Sequence, residues 1–126
     1  MPRRIAVVDD EPSVLDLLQE VLSGEGYEAH PFHGGAADYP RVRDLAPDAI
    51  ILDIRMEDSR TGWDMLDRMR RDDVLGATPV IVCSGDLPLL RERAADLERL
   101  GATTLAKPFD LDDLLALLDR AVGGQA

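Results

Sequence analysis

The sequence predicts an α/β protein built on a doubly wound, five-stranded parallel sheet with helices on both faces. Two observations carry that prediction. Short apolar runs alternate with amphipathic stretches from end to end of the 126-residue chain, and parallel strands need such crossover helices between them. The runs "IAVV", "AIIL" and "VIVC" are continuously apolar rather than alternating, which is how strands covered on both faces read.

The first strand is Ile5–Val8. Val14, Leu15, Leu18 and Leu22 then recur at helical spacing, and Pro12 suits the first turn of that helix. "SGEGY" stops the helix before a short, weak second strand at Tyr27–His30. In "FHGGAADYPRVRDLAPD", Gly34, Gly35 and Pro40 restrict the second helix to about one or two turns. "AIILDI" is the third strand; a polar loop, "RMEDSRTG", leads to a helix from about Trp63 to Arg71. "TPVIVCSG" holds the fourth strand, and Pro88 to Leu100 the fourth helix, closed by Gly101. "TTLA" is a short fifth strand. The fifth helix carries Leu111, Leu114, Leu115, Leu118 and Val122 on one stripe, with Asp110 as its N-cap.

A chain of this length is one domain, able to bury a core without disulfides or a structural metal. Residues 1–122 form that domain, and 123–126 ("GGQA") read as a tail or the start of a linker. Lys and Arg number 14 against 25 Asp and Glu, a formal net charge of −11. That sign argues against nucleic acid or an anionic membrane as a direct partner. The single cysteine, Cys83, lies in an apolar run and reads as a small buried hydrophobe. No apolar run has signal-peptide or membrane-spanning length, so the expected location is cytoplasmic.

Chemistry gathers at the strand ends. Asp9 and Asp10 follow the first strand, Asp53 the third, Ser84 the fourth and Lys107 the fifth. In an open parallel sheet the functional crevice lies beyond the carboxyl ends of the strands. Taken singly, each residue has an ordinary reading: a helix cap, a turn residue, a solvated lysine. Their recurrence at successive strand ends is what points to a site. Adjacent carboxylates repel, and that repulsion is a reason to bind a cation. His30 and His33 read as surface or edge residues.

The motifs "VVDDEP", "IILDIRM", "VIVCSG" and "LAKPFD", in this order and at this spacing, resemble the receiver domain of two-component response regulators over essentially the whole chain. The resemblance implies the flavodoxin-like strand order 2-1-3-4-5, which brings strands one, three, four and five together on one rim. It implies Asp53 as phosphoacceptor, Asp10 as a direct Mg²⁺ ligand, Asp9 as a ligand through water, and the Arg55 carbonyl completing the protein's share of the metal shell. Ser84 would bond the phosphoryl group and Lys107 one of its oxygens, with a cis Lys107–Pro108 bond. The implied partners are a histidine kinase or histidine phosphotransfer protein, and an output partner or effector on the face between the fourth and fifth helices. The chain would not be an enzyme, but a Mg²⁺-dependent phosphoacceptor that assists its own phosphorylation and dephosphorylation.

The chain departs from the family pattern at several positions. Glu57 stands where the family usually has Pro, and Gly62 comes one residue late, so the loop after Asp53 is one residue longer. Thr104 replaces a usual aromatic three residues before the lysine; a hydrogen bond near Ser84 would be its substitute for a swinging ring. Arg55 and Asp86 are expected to pair across the mouth of the pocket. Two rivals remain: a receiver-like module that no longer switches, and, more distantly, a small metal-dependent phosphohydrolase using Asp53. The second lacks an acid at Arg55, and the chain is too short for a substantial cap domain.

Overall fold

The computed structural model describes residues 2–34, 37–54, 59–85 and 87–123, with the backbone alone for 59–62. Five strands, β1 (Arg4–Val8), β2 (Glu28–Phe32), β3 (Ala49–Asp53), β4 (Val80–Ser84) and β5 (Ala102–Ala106), form one parallel sheet in the order 2-1-3-4-5. Among the described residues six helices accompany them: α1 (Pro12–Gly24), α2 (Asp38–Leu45), α3 (Ser59–Arg71), α4 (Leu87–Glu92), α5 (Ala94–Arg99) and α6 (Leu111–Gly123).

The sheet divides two apolar layers. Ile5, Val7, Ala49, Ile51, Ile81 and Cys83 pack with Leu15, Leu18 and Leu22 of α1 and Leu114, Leu118 and Val122 of α6. The alternate strand residues Ala6, Val8, Ile50, Leu52, Val80 and Val82 pack against α2, α3, α4 and α5 through Val42, Leu66, Met69, Leu90 and Leu97. The two-residue period of each strand therefore feeds both layers, which is why the central strands carry no polar face. Cys83 is buried as expected, and burial pushes its thiol up to about 12.

Several element limits differ from the sequence reading, each for a local reason. β2 is displaced to Glu28–Phe32 and contains Pro31; as an edge strand it can leave a missing N–H unpaired. α3 begins at Ser59, four residues before Trp63. The expected fourth helix is two helices, so five becomes six. At Arg93 (φ −101°, ψ 12°) the backbone leaves helical geometry, although the Arg93 N–H still reaches the Leu89 carbonyl and the Leu97 N–H the Arg93 carbonyl. Asp110 does cap α6, its carboxylate accepting the Asp112 N–H at 3.0 Å. Pro12 opens α1 as its spacing predicts.

α2 closes without a glycine. Ala46 adopts the left-handed conformation (φ 48°) at its C-cap, where its N–H bonds the Val42 and Arg43 carbonyls. A network that sequence reasoning missed ties α2 to the end of α3. Asp72 accepts bonds from Tyr39 Oη (2.9 Å) and Arg43 Nε (3.1 Å). The Arg68 guanidinium lies over the Tyr39 ring, Cζ 3.9 Å from its centre.

Candidate functional site

Register decides which strand-end groups meet. Val8 pairs with Leu52, so Asp9 and Asp53 lie level at the ends of β1 and β3. Asp53 pairs with Cys83 and Ser84 with Ala106, which sets Lys107 one step beyond the end of β5. Backbone bonds hold each exit in place: the Asp9 N–H to the Phe32 carbonyl (3.0 Å), the Ile54 N–H to Cys83 (3.0 Å) and the Lys107 N–H to Ser84 (2.7 Å). By strand alternation Asp9 follows Ile5 and Val7, and Asp53 follows Ala49 and Ile51, all on the α1–α6 side. Both carboxylates thus leave the rim on the same side.

Lys107 joins them. Its Nζ lies 3.1 Å from Asp9 Oδ2 and 3.2 Å from Asp53 Oδ1. The two carboxylate side chains are only 4% and 7% exposed, so little solvent screens the cluster. The other oxygen of Asp9 accepts the Glu11 N–H at 3.0 Å. Burial lowers the pKa of Lys107, but the Asp53 charge and the bond to Asp9 outweigh it and hold the ammonium above its ordinary value. The Lys107–Pro108 peptide bond is cis.

Asp10 completes an acid cup. One carboxylate oxygen from each of Asp9, Asp10 and Asp53 lies within 4.8 Å of the others. The Asp9 and Asp53 carboxylates are largely buried and Asp10 is exposed, so the cup opens toward solvent through Asp10. Three carboxylates offer hard, anionic oxygens at an open rim, a donor set that fits Mg²⁺, which keeps several of its waters. Thiol and imidazole ligands, which would suit softer ions, are missing from the cup among the described residues.

Ser84 is buried at the end of β4, next in line to Asp53 across the β3–β4 pairing. The structure therefore brings Asp9, Asp10, Asp53, Ser84 and Lys107 to one rim. Arg55 lies outside the described residues, as do Asp86, its expected pairing partner, and Glu57 in the loop after Asp53. Thr104 sits on β5 opposite Val82 and is exposed, with no hydrogen bond to Ser84 among the described residues. His33 is exposed, and His30 pairs with Glu28 on β2.

Known proteins resemble this chain in sequence and in fold. A family model described as the response regulator receiver domain matches residues 5–119. Regulatory protein AtoC of Escherichia coli is 34% identical over 94% of this chain, which covers 25% of that protein. Sporulation initiation phosphotransferase F of Bacillus subtilis is 31% identical over 90% of this chain and 89% of its own length. The receiver domain of NtrX from Brucella abortus superimposes with a TM-score of 0.80 at 33% identity, covering 94% of this chain and 98% of that one. The chain spans 25–44% of the length of the first three curated relatives it matches.

Proposed function

This chain belongs to the response regulator receiver domain family of two-component systems, and from that premise we propose that Asp53 accepts a phosphoryl group from a histidine kinase or histidine phosphotransfer protein. The observation that carries the assignment is the cup of Asp9, Asp10 and Asp53 with Lys107 bridging two of its members. An oxygen of Asp53 forms the new P–O bond as the donor's P–N bond breaks, and the donor imidazole keeps that electron pair.

The obstacle is electrostatic, because a carboxylate must approach a phosphoryl dianion. Asp10 and Asp53, with Asp9 through water and the Arg55 carbonyl, would hold Mg²⁺. When bound, the ion supplies positive charge between the two anions. Lys107 is already 3.2 Å from Asp53, so its ammonium can turn to an oxygen of the incoming group and share the charge. The Ser84 hydroxyl, at the end of the adjacent strand, donates to another. The exposed side of the cup admits water, so the same residues assist hydrolysis of the acyl phosphate. Receiver domains are generally not enzymes, and this assisted self-phosphorylation and dephosphorylation is the extent of the chain's own chemistry.

Residues 1–122 act as the receiver, with 123–126 the start of a tail or linker, and the output partner or effector docks on the α4–β5–α6 face. No helix among the described residues is long and apolar enough to cross a membrane, in keeping with a cytoplasmic signalling domain. The test is the mass of the protein after incubation with Mg²⁺ and acetyl phosphate. One phosphoryl group should add to the wild type and none to Asp53→Asn. Unchanged labelling of that variant would sink the assignment.

A further inference from the structure

The two chain segments that leave the acceptor pocket meet again where Trp63 of α3 touches Arg93 at the end of α4. From Asp53 the chain enters α3, which carries Trp63; from Ser84 it enters α4, which ends beside Arg93. The Arg93 guanidinium lies over the Trp63 ring, Cζ 4.5 Å from its centre. Arg93 is also the residue at which the expected fourth helix breaks into α4 and α5. Its Nε is buried with no hydrogen-bond partner among the described residues, and the Asp96 carboxylate stands 3.8 Å away, too far for a bond.

The stacked arrangement therefore carries both a gain and an unmet donor. Stacked on Trp63, Arg93 gains a cation–π contact but leaves a buried donor unmade. Turned outward by a small movement of α4 it loses the ring and frees Nε to bond Asp96 or water. Each arrangement gives up an interaction that the other makes, so a ligand that favours one over the other shifts the population. We propose that the Trp63–Arg93 stack is a latch through which the phosphoryl state of Asp53 sets the position of the α4–α5 pair. This regulation rests on Asp53 being the acceptor. A phosphoryl group bound by Asp53 and Ser84 draws the exits of β3 and β4 together, and the levers carrying Trp63 and Arg93 move with them.

Trp63 is the sole tryptophan, so its emission reports the surroundings of this one ring, which include the Arg93 contact and the core it packs against. The same samples are read three ways: by intact mass, by Trp63 emission with acrylamide quenching, and by hydrogen exchange of residues 87–99. Labelling wild type with acetyl phosphate and Mg²⁺ should change the emission, raise its quenching and speed exchange in α4 and α5. Asp53→Asn under the same conditions should show none of these changes. Arg93→Met should still gain one phosphoryl group but lose the difference between labelled and unlabelled emission and exchange. Arg93→Lys keeps the charge and stem without the planar fork and should retain part of the difference. A missing mass gain in wild type overturns the acceptor assignment, and the latch with it. Full labelling with unchanged emission and exchange overturns the latch alone. So does an Arg93→Met difference equal to wild type, or an equal change in Asp53→Asn, which would trace it to the metal or donor.

Discussion

Lys107 Nζ sits between Asp9 Oδ2 at 3.1 Å and Asp53 Oδ1 at 3.2 Å, so one ammonium from the edge strand ties together the ends of two interior strands. The bridge spans three strand pairings, since β4 and β3 lie between β5 and β1. In the absence of a divalent cation it is the charge that keeps the two carboxylates compatible.

Replacing that ammonium tests its structural weight. Lys107→Met should destabilise the metal-free protein by about 3 kcal/mol, the lower end of the cost of leaving a buried charge without its partner. Urea unfolding measures it. Saturating Mg²⁺ should restore part of the loss, because a cation in the cup replaces the missing charge. A variant as stable as wild type without metal would mean the bridge does not hold the rim.

Asp10 should matter for metal rather than for folding, since it is the exposed member of the cup. Asp10→Ala should weaken Mg²⁺ binding by about tenfold or more, given that even outer-shell partners of a metal cost about 10–100-fold. Calorimetric titration with Mg²⁺ reads the affinity, and the urea midpoint without metal should stay near wild type. Equal Mg²⁺ affinity in the variant would place the ion elsewhere.

Stability should fall at both pH extremes through the Asp72–Tyr39 pair. Burial works to raise the Asp72 pKa, but the N–H groups of Val74 and Leu75, the Tyr39 hydroxyl and the Arg43 charge pull it from 3.8 to about 2. A depressed acid contributes stability above its unfolded value, lost as pH falls from about 4 through 2. Tyr39 is the converse: burial and the bond to Asp72 raise it from 10.0 to about 12, so its contribution is complete below 10 and lost as pH rises toward 12. Tyr39→Phe should flatten the alkaline arm and shift the acid arm upward in a thermal-melt series. Melting curves that superimpose on wild type at both ends would remove the pair from the stability profile.

Ala46 holds a left-handed conformation that glycine adopts without a Cβ penalty. Ala46→Gly should stabilise the protein by about 0.5–1 kcal/mol, the relief of about 1–2 kcal/mol being offset in part by the freer unfolded chain. Chemical denaturation gives the difference. A loss of stability would show that the unfolded-state entropy outweighs the strain at the α2 C-cap.

The sequence by itself determined the layered α/β architecture and the candidate groups of the site. Both are written in local, periodic features: apolar runs such as Ile5–Val8 and Ala49–Leu52, the leucine stripe from Leu111 to Val122, and polar residues stationed where each run stops. Strand type and strand end are properties of a few neighbouring residues, so a reading of neighbours finds them, and the strand order itself came from likeness to a family rather than from the residues. The tertiary structure decided what lies between distant segments. That Lys107 bonds both Asp9 and Asp53 follows from parallel register across four strands. That Arg93, where α4 gives way to α5, lies over the Trp63 ring is a relation between α3 and α4 that neither segment shows alone. Likewise, Tyr39, Arg43, Arg68 and Asp72 meet only once α2 and α3 are laid side by side. Helical and strand periods are short-range and repeat along the chain, whereas ion pairs and stacks depend on packing distances that no single segment encodes.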